Sequence, residues 1–125
     1  MKKLFFTALV LISTLSSMAQ KNNYMTFRGE IANKNSDAIF ITDGRNKLIK
    51  KIQISSEGVF KDTLNVVPGR YSLSDGNEFT IVYLKNGFDL TLKMDTKMFD
   101  ESIIYTGKGA LENNMLAKNT LEEAK

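Results

Sequence analysis

Asn86-Gly87-Phe88-Asp89-Leu90-Thr91-Leu92-Lys93-Met94-Asp95 is the stretch that sets the fold class. Asn-Gly is the dipeptide best suited to a two-residue hairpin turn, because both positions accept positive φ. After it, Leu90, Leu92 and Met94 alternate with Asp89, Thr91 and Lys93. A period of two sends alternate side chains to opposite sides of a pleated strand, so the stretch predicts a hairpin leading into a half-buried strand. Asp95 is placed to cap a single helical turn through Phe99.

The same grammar extends in both directions. Phe79 to Leu84 is dense enough in apolar residues to predict a central strand covered on both faces. Before it, Tyr71 and Leu73 alternate up to an Asp75-Gly76-Asn77 turn, and Pro68-Gly69 marks another break. Val59 to Val67 predicts a strand with Phe60, Leu64 and Val66 on one face, entered through Ser56-Glu57-Gly58. Leu48 to Ile54, with Ile52 and Ile54 inward, folds back on Ala38 to Thr42 across Asp43-Gly44-Arg45-Asn46. Met25, Phe27 and Ile31 alternate with Thr26, Arg28 and Glu30, and Ile103 to Thr106 predicts a last strand. About eight short strands at spacings of roughly 8–12 residues predict an all-β antiparallel sandwich, with barrel closure as the alternative.

Ala110 to Lys125 changes character. It is built from good helix formers, with Leu111, Met115 and Leu121 near one face, and it lacks a glycine, asparagine or proline stop. We therefore expect a sandwich with a C-terminal helix that once led further, a truncated architecture.

The N-terminus predicts export. Lys2 and Lys3 precede an almost wholly apolar run from Leu4 to Ile12, and Ser17 and Ala19 carry the spacing read by signal peptidase. That run holds about nine residues, whereas a membrane-spanning helix needs ~20. Cleavage is expected between Ala19 and Gln20, giving a periplasmic product. The division is a signal peptide over 1–19, a sandwich domain over 20–106, and a hinge with the start of a linker helix over 107–125.

Charge changes with the leader. The chain holds 17 basic and 14 acidic residues, a net of +3; without Lys2 and Lys3 the balance is 15 to 14, a net of +1. A nucleic-acid binder shows a stronger, clustered basic excess, so no nucleic-acid partner is expected. The densest basic stretch, Arg45, Lys47, Lys50 and Lys51, reads as a charged strand rim. Cysteine and histidine are both absent, which removes disulfides, thiol chemistry, Ser-His or Cys-His pairs, ordinary zinc sites and a lipid-modified cysteine. No stable membrane anchor is expected after cleavage.

Each remaining chemical candidate has a plainer reading. Asp100-Glu101 and Glu122-Glu123 are neighbours whose side chains diverge, so they read as surface charge. Ser55-Ser56 reads as turn chemistry. Asp75-Gly76-Asn77-Glu78 lacks the sixth-position glycine and twelfth-position glutamate of a calcium loop, and reads as a tight turn. Gly107-Lys108-Gly109 has no serine or threonine after the lysine, as a phosphate loop requires, and reads as a hinge. The tyrosines and the phenylalanines beyond Phe5 and Phe6 are expected mostly in the core. No residue is assigned a catalytic, cofactor-binding or metal-binding role.

A resemblance adds to this reading. Gly58 to Thr63, Pro68 to Leu73, Leu84 to Gly87 and above all Phe99 to Lys118 are together similar to an N-terminal domain of unknown function. That domain precedes the thioredoxin-like domain in exported bacterial AhpC/TSA and TlpA-like thiol-disulfide oxidoreductases. The similarity covers Tyr24 to Lys118, and the final segment corresponds to the family's passage from β-domain to helical linker. It implies a non-catalytic accessory domain of the cell envelope, serving positioning, dimerisation or docking, with a thioredoxin-like domain or protein as partner and a homodimer as a further option. The family's redox work belongs to a Cys-x-x-Cys that this chain does not contain, so no catalytic residue carries over. A standalone envelope module binding a glycan or peptide is the alternative, and an enzyme using carboxylates alone is the third.

Overall fold

The computed structural model describes residues 23–123, so the expected signal peptide lies outside the described residues. Eight strands build two four-stranded sheets: β1 (Met25–Ala32), β2 (Ala38–Thr42), β3 (Leu48–Gln53), β4 (Val59–Leu64), β5 (Gly69–Ser74), β6 (Phe79–Leu84), β7 (Asp89–Asp95) and β8 (Ile104–Lys108). The first sheet has the order β4-β1-β7-β8 and the second β3-β2-β5-β6. All pairings are antiparallel except β1 with β7. Helix α1 (Phe99–Ser102) follows a 3-10 turn over Thr96–Met98, and helix α2 (Ala110–Glu123) ends the described chain. This is the expected antiparallel β-sandwich with a C-terminal helix.

The alternating residues do what their period demands. Met25, Phe27 and Ile31 of β1, and Leu90, Leu92 and Met94 of β7, are buried between the sheets. They face Ile39, Ile41, Leu73 and Val82 of the second sheet. Each such side chain contributes ~1.5–3 kcal/mol by leaving water. Asp95 caps the 3-10 turn as expected, its carboxylate accepting from the Lys97 amide at 3.0 Å.

Gly29 breaks the inward row of β1 for a steric reason. It pairs with Phe60 on β4, whose ring lies over it and meets Phe27 edge-on at 5.2 Å. A Cβ at position 29 would collide with the Leu92 carbonyl and stand 2.8 Å from the Phe60 ring.

Two local expectations need correction. Asn86-Gly87 makes a turn, with Phe88 N–H donating to the Lys85 carbonyl at 3.1 Å, yet β6 and β7 lie in different sheets. The corner is held instead by β1, through Gly87 N–H to the Tyr24 carbonyl and Thr26 N–H to the Phe88 carbonyl. Asn86 also ties down the β4–β5 link: its Oδ1 accepts from Val66 N–H at 3.0 Å and its Nδ2 donates to Asn65 at 2.8 Å. Second, β6 is an edge strand, not a central one. Its apolar density serves the core through Val82 and Leu84, and an outer face through Phe79, Ile81 and Tyr83.

The sandwich has two lateral openings. On one side the chain passes directly from β3 to β4, and Lys50 Nζ on β3 reaches Asp62 on β4 at 3.5 Å. On the other side lie the free edges of β6 and β8, and α2 packs against both.

Substituting Gly29 by valine is expected to destabilise the fold by about 2–3 kcal/mol, because a packed ring and a backbone carbonyl must both move. Gly44→Ala, where an added Cβ meets nothing within 4 Å, is expected to stay within about 0.5 kcal/mol of the parent. Urea unfolding of the two variants checks the contrast.

Candidate functional site

Helix α2 is anchored by side-chain amides rather than by an apolar stripe. Asn113 Oδ1 accepts from Tyr83 N–H at 2.8 Å, and its Nδ2 donates to the Tyr83 carbonyl at 2.9 Å. Asn114 repeats the pattern on the other sheet, accepting from Tyr105 N–H at 2.8 Å and donating to the Tyr105 carbonyl at 2.9 Å. Successive helical residues point about 100° apart, so the doublet reaches two diverging strand edges at once. Each amide presents a donor and an acceptor to its strand edge, as a neighbouring strand would.

The surrounding residues make this approach possible. Gly109 has φ +104°, and a Cβ there would run into the Phe88 ring, so glycine fits both the backbone and the space. Its carbonyl accepts a second hydrogen bond from Asn113 Nδ2 at 2.9 Å. Ala117, one turn after Asn113, is buried and small enough to keep the helix close. Asn113 itself is 0% exposed. Leu111 and Met115, expected near one face with Leu121, are 72% and 59% exposed on the helix's other side, and Leu121 is half-buried. The one sequence signal for the true face was the doublet itself, because asparagine is a poor helix former in an otherwise favourable run.

The residues weighed for chemistry are distributed through the fold and engaged locally. Asp75 is 2% exposed; its carboxylate accepts from the amides of Asn77 and Glu78 and from Asn35 Nδ2, closing the β5–β6 turn. Ser55 Oγ accepts from Val59 N–H at 3.1 Å, and so belongs to its turn. In the basic stretch, Arg45 and Lys47 bind Asp43 through their amides, Lys50 turns to Asp62, and Lys51 Nζ stands 6.0 Å from the centre of the Phe40 ring. These four side chains do not converge on one anion site. Gly107 and Lys108 continue strand β8, and α2 begins at Ala110.

Glu78 and Asp100 line one groove with Asn77, Phe79 and Phe99, of about 280 Å³. Two others measure about 200 Å³ (Tyr24, Thr26, Gly87, Phe88, Asp89) and about 190 Å³ (around Arg28, Phe60 and Thr91). All three fall below the roughly 300 Å³ at which small-molecule sites begin. Among the described residues no three acidic side chains gather as a metal cluster.

The outer faces of the two sheets differ. The first sheet carries compensating charges, with Arg28 on Asp89 at 2.8 Å and Lys93 on Glu30 at 3.9 Å. The second shows Phe40, Phe79, Ile81 and Tyr83 outward, Phe79 being 65% exposed. Core packing thus accounts for Phe27, Phe60, Tyr71, Phe99 and Tyr105, and Tyr83 leans on the half-buried Phe88 at 6.0 Å, which leaves Phe40 and Phe79 as outward aromatics.

Removing the Asn113 amide leaves the Tyr83 N–H and carbonyl without partners, so Asn113→Ala is expected to cost about 2–4 kcal/mol. Asn114→Ala, at a more exposed residue, is expected to cost about 1–2 kcal/mol. Hydrogen exchange should locate each loss, at the Tyr83 amide in the first variant and the Tyr105 amide in the second. Acid stability follows from three surface carboxyls. Lys34 beside Asp37, the Lys47 and Arg45 amides on Asp43, and the Asn33 amide and Lys97 N–H on Asp95 hold all three below the usual 3.8. Their contribution is present above the unfolded value and is lost as pH falls through the lower folded values, so the urea midpoint should drop below about pH 4. Asp95→Asn should flatten that drop.

The chain matches no protein-family model, no curated protein and no solved structure.

Proposed function

We propose that this chain is a non-catalytic accessory domain of an exported thioredoxin-like thiol-disulfide oxidoreductase, holding a redox partner by way of helix α2. The observation that carries the reading is the double amide anchor at Asn113 and Asn114, which ties α2 to both sheets. A helix fixed at two diverging strand edges has a defined direction relative to the sandwich, which suits a positioning element. Its free side presents Leu111 and Met115, one turn apart, as an apolar seam for a partner. The absence of cysteine and histidine from the sequence fits a role in which the thiol chemistry belongs to that partner.

The test is association with an exported thioredoxin-like protein carrying Cys-x-x-Cys, sought first in the frame beside this gene. Binding is expected, and Leu111→Ser with Met115→Ser should weaken it at least tenfold while changing stability by no more than about 0.5 kcal/mol each. The reading fails if no such frame adjoins the gene and none of the host's exported thioredoxin-like proteins binds.

A further inference from the structure

We infer that the outer face of the β3-β2-β5-β6 sheet is a docking surface for an extended acidic segment of a partner protein. Phe40 and Phe79 lie in one cross-strand row with Lys51, Ile81 lies in the next, and Tyr83 pairs with Arg70. Phe40 and Phe79 are separated by one strand, about 10 Å. The four strands, AIFIT, LIKKIQ, GRYSLS and FTIVYL, contain no acidic residue. Asp43 sits in the turn at one end of this face, and Glu78 and Asp100 border Phe79 at the other. Among the described residues Lys51 and Arg70 have no carboxylate within ion-pair distance, unlike Arg28 and Lys93 on the opposite sheet.

The charge carried by the strands themselves selects the occupant. A second copy using the same patch would present four strands without an acid, and so would offer Lys51 and Arg70 no partner of opposite charge. Lys51 near the Phe40 ring already keeps an apolar and a cationic group side by side. An extended peptide that alternates acidic and apolar residues matches that arrangement, with its apolar side chains on Phe40, Phe79 and Ile81 and its carboxylates at Lys51 and Arg70. Two cations are too few for a polyanion or lipid surface held by charge, where each contributes only about 1 kcal/mol.

Titration of the isotope-labelled chain tests this directly. The probes are a decapeptide alternating glutamate and valine, its lysine-valine counterpart, and phosphatidylglycerol vesicles. The glutamate peptide is expected to shift amides of β2, β3, β5 and β6 and leave the first sheet unchanged, and the other two probes to do nothing. Phe79→Ser should weaken binding at least threefold. Lys51→Glu with Arg70→Glu should abolish it and transfer binding to the lysine peptide, with the rest of the amide spectrum retained. The inference is overturned if the glutamate peptide gives no shifts at about 1 mM, if its shifts fall outside this sheet, if the lysine peptide binds the parent equally, or if vesicles are the only ligand. None of these outcomes bears on the helix reading, which is measured at Leu111 and Met115.

Discussion

Two side-chain amides, Asn113 and Asn114, do for strands β6 and β8 what a neighbouring strand would otherwise do. A sandwich of two open sheets has four edges, each with backbone groups that need partners. On the β3–β4 side the chain itself crosses between the sheets, and the Lys50–Asp62 pair bridges them. On the other side the N–H and C=O of Tyr83 and Tyr105 point at a helix whose own backbone is already committed to internal hydrogen bonds. An apolar stripe would cover that opening and leave those groups unsatisfied. Consecutive asparagines cover it and satisfy both edges.

Much of the nearby structure follows from that solution. The helix must come close, hence Ala117 on its buried face and Gly109 beneath the Phe88 ring. Tyr105 is buried where β8 meets the helix, and burial pushes its phenol up from the ordinary value. The docking face combines the two amides with Ala117 and the half-buried Leu116 and Leu121, while Leu111 and Met115 fall on the free side. The helix therefore keeps part of its apolar surface, Leu111 and Met115, turned outward.

Periodicity in the sequence located the inner face of nearly every strand, because it is a local property. Met25, Phe27, Leu90, Leu92, Ile52 and Ile54 are buried as their spacing requires. What it did not locate was long-range pairing. Asn86-Gly87 specifies a tight turn, but whether the flanking strands then meet depends on β1, about sixty residues earlier, competing for β7. The density of Phe79 to Leu84 measures apolar demand on two faces and does not distinguish a covering sheet from an exposed patch. The inward face of α2 escaped for a related reason: a helix that binds strand edges needs amides where the hydrophobic pattern expects leucine.

The polar groups explain why surfaces, rather than clefts, carry the functional argument. Asp75 is saturated by two backbone amides and Asn35, Ser102 exchanges hydrogen bonds with the Asp95 backbone, and Asn33 holds the Asp95 carboxylate. A carboxylate already bound by three donors has little acceptor capacity left for a ligand. The second sheet's outer face is in the opposite condition. Its aromatic side chains lie outward and its two cations lack carboxylate partners among the described residues, while the first sheet pairs Arg28 with Asp89 and Lys93 with Glu30. An apolar face alone would accept any hydrophobic neighbour, including a second copy. Placing Lys51 and Arg70 on it, with every acid excluded from its four strands, turns general stickiness into a preference for a partner of opposite charge.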